Sequence, residues 1–118
     1  MMTMSNSSII QLSEFNITQK IIESLSNVCT RAVLFSIKQN SKDASQIADE
    51  LKFSISAVYK ILSTLEILTL IEVEKFIISK DGKKIKQYKS RIGKVKIILD
   101  SLEPVMSLYP NRSNSDIN

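Results

Sequence analysis

Residues 43–68 read DASQIADELKFSISAVYKILSTLEIL, and this stretch decides the predicted fold. Asp43 and Gln46 have the spacing of a capping box, which predicts a short helix directly after them. Ser54 is a typical N-cap, and apolar residues then recur at intervals of three and four, which predicts a second helix over 55–68. Only a few residues separate the two helices, so they must turn sharply against each other. The stretch therefore predicts a helix-turn-helix arrangement.

Two more helices are predicted on the N-terminal side of this pair. Asn16 and Gln19 repeat the capping-box spacing in front of a helix over 17–25. Asn27 is a good N-cap in front of a broad apolar face over 28–39, which predicts another helix. Three helices therefore form a predicted core, with one helix flanking it.

The pattern changes from helical to extended after the fourth helix. Residues 71–78 are mostly β-branched or aromatic, and their alternation slips near Lys75, which indicates a bulge. Asp81-Gly82 is the dipeptide that best supplies the positive φ angles of a tight hairpin turn. Residues 83–91 then form the predicted returning strand. A basic β-hairpin is expected at this point of the chain.

Residues 94–109 fit two different structures. Their Val and Ile content favours strands, with Asp100-Ser101 as a turn, and Pro104 blocks extension of a helix. The apolar spacing from Val95 onward also fits a helix, so both remain open.

The composition excludes several functional classes. The 118 residues suit one domain, and the chain contains no His and a single Cys, so zinc sites and hydrolase triads lack their usual residues. We expect no cofactor, no metal and no enzymatic activity. Charged residues interrupt every apolar run, so no membrane span is expected. Cys29 is expected to be a buried thiol, and one unpaired thiol without a signal peptide predicts a cytoplasmic protein.

These features predict a fold that is mainly α with small β, a winged helix-turn-helix with a three-helix core, a β-hairpin wing and a flanking N-terminal helix. From residue 24 to about 91 the chain also resembles winged helix-turn-helix transcriptional regulators of the ArsR type, bacterial and archaeal. The similar stretches are residues 26–31, 45–51, 54–62 and the Asp81-Gly82 turn. The resemblance implies double-stranded DNA as the target, with residues 55–68 in the major groove. The chain lacks the paired cysteines of the metal-sensing members, so metal sensing is not expected.

The domain organisation follows from these predictions. Residues 1–15 are expected to be a flexible or partly ordered segment and 16–92 the winged helix-turn-helix DNA-binding domain. Residues 93–110 are expected to form the C-terminal hairpin or helix, and 111–118 a disordered tail.

Two surfaces are predicted to touch DNA. Burial of the apolar face of helix 55–68 leaves small and hydroxyl-bearing residues facing outward, which suits close approach to base edges. Residues 75–96 carry nine basic residues against Asp81 alone, a local charge of +8 in a chain of +4. A solvated helix face and a lysine-protected hairpin edge are the simpler interpretations of these two features. The predicted DNA-binding residues are Ser54, Ser56, Ala57, Tyr59, Lys60, Ser63, Thr64, Lys80, Lys83, Lys84, Lys86 and Lys89.

The sequence also bears on partners. An apolar set near the N-terminus is large for a helix outside the core, so it either packs on a second subunit or covers its own domain. We expect a homodimer; the sequence identifies no small-molecule effector. The alternative function is a winged-helix protein–protein interaction module in a transcription or other nucleic-acid assembly. The apolar set comprises Ile9, Ile10, Leu12, Phe15, Ile17, Ile21 and Ile22.

Overall fold

The computed structural model describes residues 6–112, and for residues 6–15 it gives the backbone alone. Within this range, all the helices precede all the strands. The elements are α1 (Asn6–Ser26), α2 (Val28–Ser36), α3 (Ala44–Leu51), α4 (Ile55–Ile67), β1 (Ile71–Ile78), β2 (Lys84–Ser90), β3 (Ile92–Ile98) and β4 (Val105–Pro110).

The predicted fold class, mainly α with small β and a single hairpin wing, is wrong. The chain is about 42% helix and 30% strand. Its strands form two antiparallel two-stranded sheets, β1-β2 and β3-β4, in the described residues. The difference arises in residues 92–110, for which both strand and helix had been left open. These residues form strands, and they add a second hairpin to the first.

Local capping was predictable at three helix starts, with Asn27, Asp43 and Ser54 as the N-caps. The Asn27 side chain accepts hydrogen bonds from the backbone N–H groups of Cys29 at 2.9 Å and Thr30 at 3.1 Å. Asp43 and Gln46 form the full capping box, with both bonds at 2.8 Å. The α3–α4 turn uses a non-glycine residue in the left-handed region, Lys52 with φ of 61°.

The predicted start of the first helix is wrong. Asn16 lies inside α1 rather than in front of it, because the helix extends without a break from Asn6 to Ser26. Gln19 donates from Nε2 to the Glu23 carboxylate at 3.3 Å along the helix surface instead of closing a capping box. Asn within a helix lowers stability only modestly, so a cap motif does not force a break.

The core lies between α2, α3 and α4 and is closed by the C-terminal half of α1 and by one end of the first hairpin. Each fully buried aliphatic side chain contributes about 1.5–3 kcal/mol. Cys29 is exposed, contrary to prediction, because it sits in the first turn of α2 beyond the reach of the core. The buried apolar residues are Ile21, Leu25, Val33, Leu34, Ile37, Ala44, Ile47, Val58, Leu62, Leu65, Leu70, Ile71, Tyr88 and Ile92.

The first hairpin confirms the predicted bulge and corrects the turn. The pairing shifts register between Val73 and Lys75. At the tip, Ser79 N–H donates to Lys83 O and Gly82 N–H donates to Ser79 O, both at 2.9 Å. Gly82 alone has a positive φ, 80°, so the turn is a three-residue loop with a left-handed glycine rather than a two-residue turn.

The second hairpin pairs β3 with β4 from Ile92↔Pro110 to Ile98↔Val105. Its open end is fixed by Asn111, whose Nδ2 donates to Lys38 O at 2.8 Å and to Ser90 O at 2.9 Å. The predicted disordered tail lies outside the described residues except for residues 111–112. None of the helices in the described part of the chain is long and apolar enough to cross a membrane.

Candidate nucleic-acid interface

Helix α4 separates a buried face from an exposed one, as its spacing predicted. Val58, Leu62 and Leu65 are buried. Tyr59 is 56% exposed, and the other predicted reading positions are exposed except Ala57, which is half-buried. The exposed positions are Ser54, Ser56, Tyr59, Lys60, Ser63 and Thr64.

Some of the hydroxyl groups on this face are engaged in local bonds. Ser54 Oγ accepts the Ala57 N–H at 3.2 Å and lies 3.4 Å from Ser56 Oγ, so it holds the helix start. Thr64 Oγ1 donates to the Lys60 carbonyl at 3.2 Å. Tyr59, Lys60 and Ser63 have no such local side-chain bond among the described residues. These three are therefore the best donors that α4 offers to a ligand.

A groove of about 660 Å3 brings α4 and the first hairpin together. Tyr59 forms part of one wall, and Lys83, Lys84 and Lys86 form part of the other. One residue of the predicted α4 surface, Tyr59, and three lysines of the first hairpin thus border one concave site. Ser45, at the start of α3, also borders the groove; nothing in the sequence pattern indicated it beyond its place beside the capping box.

The first hairpin carries apolar as well as basic side chains. Directly opposite residues of an antiparallel pair share a face, so Lys84 and Lys86 lie on the same face as their partners Ile78 and Phe76. Phe76 is 52% exposed and Ile78 64% exposed. Lys84 Nζ lies 5.3 Å from the centre of the Phe76 ring, a cation–π distance. The lysines were predicted as phosphate contacts, but this exposed apolar surface was missed.

Lys89 does not belong to this surface. Only 9% of the residue is exposed, and its Nζ donates to the Gln39 carbonyl at 2.9 Å in the loop after α2. A buried ammonium bonded to a main-chain carbonyl is a structural contact. Lys80, by contrast, is exposed in the hairpin loop.

The basic stretch over residues 75–96 is divided between two hairpins. Lys94 and Lys96 lie on β3, and Lys94 Nζ stands 4.4 Å from the centre of the Tyr109 ring. Arg91, between the hairpins, donates from Nη1 to the Thr69 carbonyl at 3.3 Å. Of the nine basic residues, three therefore border the groove: Lys83, Lys84 and Lys86.

The groove is also bordered by acidic side chains, which reduce its net positive charge. Asp43 and Asp81 border it, and Gln87 Nε2 lies 3.5 Å from Asp43 Oδ2. Tyr88 lines the groove as well; burial raises the pKa of its phenol above the ordinary value, and the Glu66 carboxylate raises it further. Tyr88 is therefore a neutral phenol at physiological pH.

No protein-family model matches the chain, and no curated protein matches it in sequence. These comparisons assign no family, so the similarity to ArsR-type regulators stays a prediction. Within residues 6–112, no group of three or more His, Cys, Asp or Glu side chains is placed to hold a metal ion.

Proposed function

We propose that the chain binds double-stranded DNA sequence-specifically and regulates transcription. The observation that carries this proposal is the groove in which Tyr59 of α4 faces Lys83, Lys84 and Lys86 of the first hairpin. The proposal is one of binding and assigns no reaction to the chain. We also propose that the chain is related to the ArsR-type regulators, and only the similar sequence stretches support this relationship. We further propose a cytoplasmic location, which the single cysteine supports.

Helix α4 has suitable dimensions and side chains for the major groove. Its 13 residues span about 20 Å, and a helix with its side chains is about 10–12 Å wide, close to the width of that groove. Short side chains at Ser56, Ala57 and Ser63 allow the helix backbone to approach base edges closely. Tyr59 and Lys60 supply longer donors for bases or phosphates.

The lysines of the first hairpin suit the DNA backbone. Lys83, Lys84 and Lys86 border the same groove as Tyr59 of α4, so we expect a duplex held by α4 to bring its phosphates to them. Neutralising phosphates releases condensed counterions, which makes affinity fall steeply with salt. This contribution is independent of sequence, and the contacts from α4 supply the selectivity.

A protein-interaction module is the second candidate, and the exposed apolar side chains on the first hairpin favour it. Phe76 and Ile78 are exposed on the same face of the hairpin as Lys84 and Lys86. Contiguous apolar surface with a charged rim is typical of protein-binding sites. On this alternative the hairpin binds an acidic partner protein that also has an apolar surface.

Selection of duplex fragments from the source genome by the purified chain, followed by a salt titration of the enriched fragments, tests the proposal. We expect a recurrent site whose binding survives excess competitor DNA. Binding that ignores sequence and disappears at moderate salt contradicts sequence-specific regulation. A stoichiometric protein partner that remains bound after nuclease treatment favours the second candidate instead.

A further inference from the structure

The four strands differ in how their edges are protected against pairing with another chain. Exposed edges are usually blunted by charged side chains, bulges or proline. β1 contains Glu72, Glu74 and Lys75 and a bulge, and β2 contains three lysines. β3 contains Lys94 and Lys96 and shifts register near Gly93. Only β4 among them carries no charged residue and no bulge, and its proline is its last residue.

The second edge of β4 is unpaired in the described part of the chain. Within residues 6–112, its backbone bonds only to β3, so one row of its N–H and C=O groups has no backbone partner there. An isolated two-stranded hairpin is marginally stable in water and gains stability from further strands or from packing. The second hairpin thus has both the free edge and the energetic reason to add a strand.

The inner face of the second hairpin is incompletely covered. Val95 and Met106 pack partly on the core, but Ile97 is 39% and Leu108 37% exposed. A cleft of about 420 Å3 lies between α1 and β4, bordered by Ile17 and Leu108 among others. A strand added at the β4 edge would extend the inner face of the sheet next to this cleft and place further side chains beside Leu108.

We infer that β4 pairs antiparallel with β4 of a second copy of this chain, forming a continuous four-stranded sheet in the order β3-β4-β4-β3 across a two-fold axis. The charge distribution is compatible with a second copy, because the like charges stay apart. The two central strands are uncharged, and Lys94 and Lys96 stand on the outer strands, about three strand spacings or 14 Å from their counterparts. This exceeds the Debye length at physiological salt, about 8 Å, so the like charges are largely screened.

Symmetry makes the pairing testable at single residues. A two-fold axis normal to the sheet leaves each side chain on its own face, and directly opposite residues share a face. One residue of β4 must therefore lie opposite its own counterpart. The inference is independent of DNA binding, because its readouts are measured without DNA.

The first test is the molar mass of the full chain by sedimentation over micromolar concentrations. We expect a dimer, and a double variant Ser107→Glu/Tyr109→Glu is expected to be a monomer with at least tenfold weaker association. In this variant the new carboxylates face Lys96 and Lys94 within the hairpin, so the hairpin keeps opposite-charge pairs while four carboxylates are added to the two central strands of the dimer.

The matched control is Phe76→Glu/Ile78→Glu. It places two carboxylates opposite Lys86 and Lys84 in the first hairpin and leaves β4 unchanged. This variant is expected to remain a dimer. A monomeric parent chain, or a dimer that persists in the β4 variant, overturns the inference.

A second test uses single cysteines at positions 105–109 in a Cys29→Ser background. Mild oxidation should crosslink one position much faster than its immediate neighbours, because opposite Cβ atoms lie within about 4.5–5.5 Å, near the span of a disulfide. Dimers that crosslink at none of the five positions, or at all of them equally, contradict the symmetric strand pair even if the β4 variant is unfolded.

Discussion

Lys42 and Tyr88 exchange two backbone hydrogen bonds: the Lys42 N–H donates to the Tyr88 carbonyl at 3.0 Å, and the Tyr88 N–H donates to the Lys42 carbonyl at 2.8 Å. Tyr88 also pairs with Val73 on its other side, so β2 is held between β1 and the residue that precedes the α3 cap. This bridge fixes the first hairpin relative to α3. The shape of the groove depends on it, because Asp43 and Ser45 border the groove on one side and β2 borders it on the other.

Lys42→Pro removes the donor of this bridge and is expected to lower the free energy of unfolding by about 1–3 kcal/mol, since the Tyr88 carbonyl loses a partner. Urea denaturation measures the change. Lys42→Ala is the control: it keeps the N–H and loses only the exposed ion pair to Glu50, which is worth at most about 1 kcal/mol. Equal losses in both variants would show that the side chain, not the backbone bridge, holds the hairpin.

Tyr88 predicts a pH dependence at alkaline pH. Its folded-state pKa is raised above the ordinary tyrosine value of 10.0, mainly by burial, so above pH 10 the unfolded chain releases the phenol proton more readily than the folded chain. The unfolded state then binds fewer protons, and stability falls as pH rises through this range, whereas the contribution is fully present below it. Tyr88→Phe should flatten the fall in unfolding free energy above about pH 10.

The control for this pH effect is Tyr109→Phe, which removes a phenol that is 40% exposed on the second hairpin. Its pH profile should match that of the parent chain. A Tyr88→Phe profile that parallels the parent in the alkaline range contradicts the assignment of the effect to Tyr88.

Lys89 and Lys86 are expected to separate stability from binding. Lys89→Met removes the buried bond to the Gln39 carbonyl and should lower the free energy of unfolding by about 1.5–3 kcal/mol. It should leave DNA affinity within about twofold at a temperature where the variant is folded. Lys86→Met should lower DNA affinity and leave the free energy of unfolding nearly unchanged, because the side chain is exposed at the groove. Thermal unfolding measures the effect on stability, and fluorescence anisotropy measures the effect on DNA affinity. A large loss of affinity in a folded Lys89→Met variant would show that Lys89 contacts DNA after all.

The contrast between these lysines shows what the sequence could and could not predict. Asn27, Asp43 and Ser54 cap their helices through bonds within three residues, so local spacing was enough to find them. The burial of Lys89 depends on Gln39, which is distant in sequence, and no pattern on the strand itself reports that contact.

The site was predictable in the same partial way. The exposed face of α4 follows from its helical period, because Val58, Leu62 and Leu65 fix which side is buried. The groove depends on the Lys42–Tyr88 bridge between distant segments, so its acidic border at Asp43 could not be foreseen. The fold class failed at residues 92–110, where the same apolar residues satisfy two periods and only packing decides between them.

Lys83→Ala/Lys84→Ala should weaken binding to DNA and make its salt dependence shallower by about one to two units of slope, because each lost phosphate contact removes close to one released counterion. Both side chains are exposed, so stability should change little. The matched control is Lys94→Ala/Lys96→Ala, which removes the same charge from β3, away from the groove. Anisotropy titrations of one duplex at several salt concentrations measure all three proteins. If the two variants lose affinity and slope equally, the chain responds to total charge, and the groove between α4 and the first hairpin is not the site of phosphate contact.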